Sequence, residues 1–380
     1  MSWEKVKLGD VTDSCLGKML DQVKNKGEYQ PYLANVDVRW GSFNLENLSL
    51  MRFEASEQER YGLKYGDLVI CEGGEPGRCA IWKDQIPGMK IQKALHRVRV
   101  HDCLDYRYLY YWFLLAGKTG ELEQYFTGAT IKHMPGEKLK SVIITKPPIE
   151  VQRKIADILW SYDDLIENNE KQIKLLEEAA RRLYKEWFVD LHFPGHETTP
   201  ITDGIPEGWA EGTLADLTVF KRGKTTTKGQ VNEGNVPVVA GGLEPAYYHD
   251  TPNTDAPVIT VSGSGANAGF TRMYYTKVWA SDCSYIDVSV THDIAWIYCF
   301  LKENKASIDS LQKGAAQPHV YAKDLNAMKV VVPCDSLMEQ FRTAAEPMFS
   351  KIGKLEMQIK MLTEARDRLL PKLMNGEIEV

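Results

Sequence analysis

Two long stretches of the chain carry a hydrophobic period of about 3.5 residues. Ile155, Leu159, Tyr162, Ile166, Asn169, Ile173, Leu176, Ala180, Leu183 and Trp187 follow one seam. Phe341, Ala345, Met348, Ile352, Leu355, Ile359, Leu362, Arg366, Leu369 and Leu373 follow another. Steps of three and four sustained over more than four heptads are a coiled-coil signal. At the helical rise each stretch predicts a rod of roughly 50 Å. A stripe that long exceeds what one small domain can bury, so the two rods are expected to pack on each other. The chain leaves the first rod through the Pro/Gly-rich FVDLHFPGHETTPITDGIPEGW, builds a second domain there and then enters the second rod. That connectivity predicts an antiparallel pair with one domain at either end. Asn169 and Arg366 place polar groups in the seam and are read as register-setting or snorkelling positions. Pro371 is expected to kink the last turns.

Between the rods the patterns are short and strand-like. GDLVICE, RCAIW, HRVRV and SVIIT predict strands in the first domain, and APVITV, TRMYY, SYIDVSV and MKVVVP in the second. One aromatic stretch in each, YRYLYYWFLL (106–115) and IAWIYCFLK (294–302), predicts a buried helix whose rings serve the core rather than base stacking.

The two halves repeat one another. QIKLLEEAARRL (172–183) and QIKMLTEARDRL (358–369) agree at eight of twelve positions, with an offset of 186. The same offset superposes Gly128 and Ala129 on Gly314 and Ala315, His133 on His319, Leu139 on Leu325 and Pro147 on Pro333. At the domain starts the offset is 206, placing Trp3, Leu8, Asp10, Gly17 and Lys18 on Trp209, Leu214, Asp216, Gly223 and Lys224. A repeat of this length governs the whole fold. The expected class is mixed α/β (α+β): two globular domains separated by a long antiparallel two-helix coiled coil, with a pseudo-twofold internal repeat. The boundaries are 1–149 for the first domain, 150–191 for the first helix, 192–208 for a linker, 209–335 for the second domain and 336–375 for the second helix.

Composition narrows the class further. The 380 residues suit two or more domains, and 43% hydrophobic with 26% charged content is ordinary for a soluble globular protein. The opening MSWEKVKLGD lacks the apolar core of a signal peptide, and no apolar run reaches membrane-spanning length. A cytoplasmic location without membrane contact is expected. The seven cysteines are scattered without a Cys-x-x-Cys, which fits reduced and mostly buried thiols. A net charge of −6 sits poorly with a nucleic-acid binder. By segment, though, residues 1–149 carry 21 Lys+Arg against 19 Asp+Glu, so local basic patches can still face a phosphate backbone.

The sequences that look like catalytic motifs are incomplete. GKT at 117–119 and 223–225 resembles the end of a phosphate loop, but Trp112 and Thr218 stand where the motif needs its first glycine. VSGSGANAGF (261–270) follows an apolar run as a dinucleotide loop would, but FTRMYY after it reads as a strand, where the fingerprint needs a helix. Its counterpart CEGGEPGRCAIW keeps the strand-turn-strand frame and puts Glu75 and Pro76 where a phosphate would lie. A structural turn is the favoured reading; ligand contact at the turn stays open. Neither Asn-Pro-Pro-Tyr nor Asp-Pro-Pro-Tyr occurs, nor His-Glu-x-x-His, nor Gly-x-Ser-x-Gly.

TGATIKHM, LKSVIITKPPIEVQRKIADIL, LLEEAARRLYKEWFVDLHFPGHE, IPEGW at the start of the second half and the C-terminal RLLPKLMNGEIEV together resemble the specificity subunit of type I restriction-modification systems. The likeness covers essentially the whole chain. It departs at VPCDSLMEQF, where Pro333, Glu339 and Gln340 remain of the usual Pro-Pro and Glu-Gln-Arg wording.

The resemblance implies a chain without catalytic activity that reads a bipartite site in double-stranded DNA, one half per target-recognition domain, with the helices setting the gap. It implies two methyltransferase subunits that bind S-adenosylmethionine and flip out the adenine, and two motor-nuclease subunits that use ATP and Mg. The cofactors would all sit on those partners, with none on this chain and no metal. Polar residues that match across the repeat are the candidate DNA contacts: Lys18 with Lys221, Arg222 and Lys224; Arg78 with Ser264, Asn267 and Arg272; Thr130, Lys132 and His133 with Gln317 and His319. Lys and Arg suit phosphate or guanine, Gln and Asn suit adenine. For each Lys or Arg the alternative is a solvated surface charge, and for the two histidines a structural hydrogen bond. Two other functions compete: an enzyme binding a nucleotide or S-adenosylmethionine at the turn 263–269, and a coiled-coil scaffold or antirestriction decoy.

Overall fold

A computed structural model describes residues 3–19, 21, 25–314 and 317–380; Ala315, which the repeat pairs with Ala129, lies outside them. The chain divides into two units, one of residues 1–166 with 360–380 and one of residues 167–359.

In the first unit, Thr12–Leu16, Leu95–Val100, Leu68–Cys71 and Cys79–Ile81 form a four-stranded antiparallel sheet in that spatial order. Leu68–Cys71 is buried at every position, as a strand covered on both faces requires. A smaller sheet sets Glu28–Leu33 between Leu50–Phe53, antiparallel, and Lys90–Ile91, parallel. Glu4–Lys7 pairs with Ile143–Lys146. The helix Tyr106–Thr119 starts where the Asp105 carboxylate accepts the amides of Arg107 and Tyr108 at 2.8 and 3.2 Å. It ends at Gly120, whose φ of 77° suits glycine. Its aromatic residues Tyr108, Tyr111 and Phe113 are fully buried, as expected.

The second unit repeats this plan sheet for sheet. Lys221–Arg222, Cys283–Asp287, Val258–Ser262 and Thr271–Tyr274 form the four-stranded sheet. Tyr247–His249, Val236–Val239 and Trp279–Ala280 form the three-stranded one, again with its last pair parallel. Ala210–Thr213 pairs with Lys329–Val332, and Ile294–Glu303 is the buried helix. All eight strands and both buried helices expected from the sequence are present. The segment between the first long helix and Ala210–Thr213 is itself packed, with Phe193 buried against Trp209 and Leu337.

The long helices are Ile149–Phe188 and Asp335–Met374. In the first unit Ile155 and Leu159 share one core with Leu370 and Leu373, and Leu369 packs beside them. In the second unit Ile173, Leu176 and Leu183 pack on the core that holds Ala180, Tyr184, Phe341, Ala345 and Ile352. In the second unit Asn169 meets Gln358 and Tyr184 meets Phe341, so the two helical segments there run antiparallel. Leu355 is buried, whereas Ile166, Ile359 and Leu362 are half-buried. Asn169 is buried and donates to Gln358 at 3.5 Å. Arg366 does not snorkel: it pairs with Asp163 and with Asp367, the latter at 2.9 Å. The second helix continues through Pro347 and Pro371, so neither proline ends it. Among the described residues no helix is long and apolar enough to cross a membrane.

Candidate nucleic-acid interface

Each unit brings together the loops that the repeat singled out. In the first unit Thr127 and His133 exchange both backbone hydrogen bonds at 2.8 Å, closing a hairpin whose tip, 128–132, is exposed. His133 also bridges to Gly73 in the glycine turn, and the Met134 amide donates to the Glu72 carbonyl at 2.7 Å. In the second unit Lys313 and His319 make the same exchange at 2.9 and 2.8 Å. His319 bridges to Ser264, and the Gly265 amide donates to Pro318 at 3.0 Å. The recurring histidines thus act through their backbones as hairpin closures. Their rings add packing: a side chain on Gly73 would meet His133 Nδ1 at 2.8 Å, and His319 stacks on Tyr321 at 5.9 Å.

The loops leave some candidate side chains outward and turn others in. Thr130, Lys132, Lys221, Arg222, Lys224 and Gln317 are exposed, and His133 and His319 are half-exposed. Lys132 lies 3.7 Å from Glu123, and Arg222 lies 3.8 Å from Asp282. Lys18 is a correction. It is 3% exposed, with its ammonium held by Glu57 and by the Arg52 carbonyl at 2.9 Å, so it does not reach a phosphate. Arg78 is a second one, because it is spent on Glu75 and on the Asn35 carbonyl, each at 2.9 Å. Ser264 donates to Asp282, and Asn267 donates to the Gly241 carbonyl at 3.4 Å, so both brace the turn from inside. Arg272 donates to the Leu243 carbonyl at 3.2 Å and covers the Tyr274 ring, while keeping part of its surface in solvent.

The glycine turn is unsuited to a phosphate. Amides of Gly263, Gly265, Ala268, Gly269 and Phe270 all donate to backbone carbonyls of the protein. A phosphate cradle needs such donors free. The Asp282 carboxylate beside Ser264 adds a repelling charge. Among the described residues no three His, Cys, Asp or Glu side chains converge as a metal-ligand set. Burial raises the thiol pKa of Cys283 and Cys299 to about 12 and that of Cys71 and Cys79 above the ordinary value, which removes them as nucleophiles at neutral pH.

Sequence reasoning missed a group of cations in the first unit. Arg60 and Lys93 line a cleft of about 200 Å³ beside Met19 and Tyr61. Arg52 lies over the exposed Tyr29 ring at 4.8 Å. In the second unit the turn facing Lys224 carries Ser281 and Asp282 and no Lys or Arg, so the repeat does not single out Lys93.

Comparison with known proteins places the chain. A family model described as the type I restriction modification DNA specificity domain matches residues 1–178 and 206–342. The type I restriction enzyme MjaIX specificity subunit of Methanocaldococcus jannaschii is 29% identical over 342 residues, covering 83% of this chain and 78% of that one. The HindI specificity subunit of Haemophilus influenzae is 23% identical, with 99% of each chain covered. The crystal structure of the S subunit from M. genitalium superposes with a TM-score of 0.60 at 20% identity, over 98% of this chain and 96% of that one, and shows the same fold. The two matched segments fall in the two copies of the repeat, and the chain belongs to the type I restriction-modification DNA specificity family.

Proposed function

We propose that this chain is the non-catalytic DNA-reading subunit of a type I restriction-modification complex, with each unit contacting one half of a bipartite site. The observation that carries the reading is the duplicated surface. Each unit closes the same hairpin on the same glycine turn, yet presents different side chains at the tip: Thr130 and Lys132 in one, Gln317 in the other. A common frame with unlike tips suits two halves of unlike sequence, because base edges are read by the side chains that reach them. Two methyltransferase subunits carrying S-adenosylmethionine, and two motor-nuclease subunits using ATP and Mg, would complete the assembly in the cytoplasm. The long helices would set the gap between half-sites and dock the methyltransferase.

The test is exchange of residues 1–149 for the recognition domain of another specificity subunit, followed by methylation mapping of the complex with its methyltransferase. One half-site is expected to change while the other stays. Retention of both half-sites would overturn the reading. Absence of any sequence-specific footprint would favour a scaffold or antirestriction decoy.

A further inference from the structure

The turns at Gly17 and Gly223 occupy the same place in the two units. Gly17 donates to the Leu95 carbonyl and Lys18 to the Ile91 carbonyl, at 2.9 and 3.0 Å. Gly223 donates to Cys283 and Lys224 to Ala280, at 2.8 and 2.9 Å. Each faces the turn that joins a parallel-paired strand to the central sheet, Lys90–Ile91 to Leu95–Val100 in the first unit and Trp279–Ala280 to Cys283–Asp287 in the second.

At this shared place the charges are exchanged. In the first unit Lys18 is taken up by Glu57 beneath the Phe53 ring, and the facing turn carries Lys93. Lys93 and Arg60 line the cleft, whose lining carboxylate, Glu57, is already neutralised by Lys18. Burial opposes ionisation of Glu57, yet the bonds from Lys18 and the Glu54 amide hold its pKa below the ordinary carboxylate value. In the second unit the facing turn carries Asp282, which accepts from Ser264, and Lys224 is exposed beside Trp279. No described carboxylate ion-pairs with Arg60, Lys93, Lys221 or Lys224.

An exposed cation with no carboxylate partner keeps its charge for an external anion, and a duplex presents a regular row of them. We infer that the two units hold the DNA backbone with different cations at one shared structural position: Arg60 and Lys93 in the first, Lys221 and Lys224 in the second, with Lys18 an internal strut. The inference rests on the DNA-reading function proposed above.

The experiment uses the chain assembled with its methyltransferase and a duplex carrying the mapped bipartite site, compared with an unrelated duplex. Arg60→Ala/Lys93→Ala and Lys221→Ala/Lys224→Ala are each expected to weaken both duplexes alike and to reduce the slope of log affinity against log salt by about 2. The methylated half-sites should stay the same. Lys18→Met/Glu57→Gln is expected to keep the wild-type salt slope while changing the thermal midpoint. Circular dichroism of each variant establishes that it is folded. An unchanged slope in either folded alanine pair, or a slope loss in the Lys18/Glu57 pair, overturns the cation assignment alone. A wild-type complex that protects no bipartite site overturns the DNA-reading function itself.

Discussion

The Asp163 carboxylate joins two helices of the first unit to Arg366, accepting the Arg366 guanidinium on one oxygen and the Tyr111 hydroxyl on the other at 2.6 Å. Burial disfavours the guanidinium charge, but Asp163 and Asp367 outweigh it and raise the Arg366 pKa. Arg366 is 14% and Asp163 22% exposed, so solvent does little to replace a lost partner. Asp163→Ala should cost about 1–3 kcal/mol, because it leaves a largely buried guanidinium with Asp367 as its remaining carboxylate partner and the Tyr111 hydroxyl without its acceptor. Asp163→Leu/Arg366→Met should recover most of that loss, since a well-packed apolar pair is often as stable as a buried ion pair. Urea denaturation of the two variants against wild type decides it; equal losses in both would contradict the pairing account.

Gly17 and Gly223 are held by close backbone approach. A Cβ at either would be driven into a backbone carbonyl, that of Gln92 in the first unit and that of Ser281 in the second. The obstruction is main chain on both sides and cannot rotate away. Gly17→Ala and Gly223→Ala should each cost about 1–3 kcal/mol through forced backbone shifts. Thermal melting of each variant reads the effect, and wild-type midpoints would show that the sheets can spread without cost.

The glycine turn should bind no cofactor. The amides of Gly263, Gly265, Ala268, Gly269 and Phe270 are engaged with backbone carbonyls, and Asp282 flanks the turn. Equilibrium dialysis of labelled S-adenosylmethionine or ATP against the isolated chain is expected to show no retention. Saturable binding would revive the enzyme reading.

The fold was legible wherever burial imposes a period. LVIC, CAI, VITVS and the aromatic helices sit where their apolar runs placed them, because a covered strand or helix has no other way to satisfy its side chains. The repeat located Gly17 with Gly223 and His133 with His319 because both pairs serve the backbone, which the duplication preserves. Individual cations were not legible. Lys18 and Lys224 look alike in sequence, but Glu57, far from both in the chain, decides that one is buried and the other free. Arg78 and Arg272 were similarly settled by carbonyls of distant loops, at Asn35 and Leu243. Of the two readings of Arg366, register-setting or snorkelling, only the first fits its pairing with Asp163 on the other helix, a partner the seam pattern does not single out.

His96 links the central sheet to the exposed hairpin and should make that link acid-sensitive. It is 1% exposed, and its Nε2 lies 2.9 Å from the Met134 carbonyl, next to His133. A carbonyl can only accept, so Nε2 carries a proton and donates it to Met134. Burial lowers the His96 pKa below its ordinary value of 6.5, against the smaller opposing effects of the Met134 bond and the Glu72 charge. A histidine lowered in this way binds its proton more readily in the unfolded chain. Its contribution is therefore fully present above about pH 6.5 and is lost as pH falls from there toward the folded-state value. Unfolding free energy measured at closely spaced pH values should decline through that window in the wild type. His96→Gln, which can keep a donor on the Met134 carbonyl but does not titrate, should be less stable at neutral pH and show a shallower decline. An identical pH slope in the two proteins would assign the acid sensitivity to other groups.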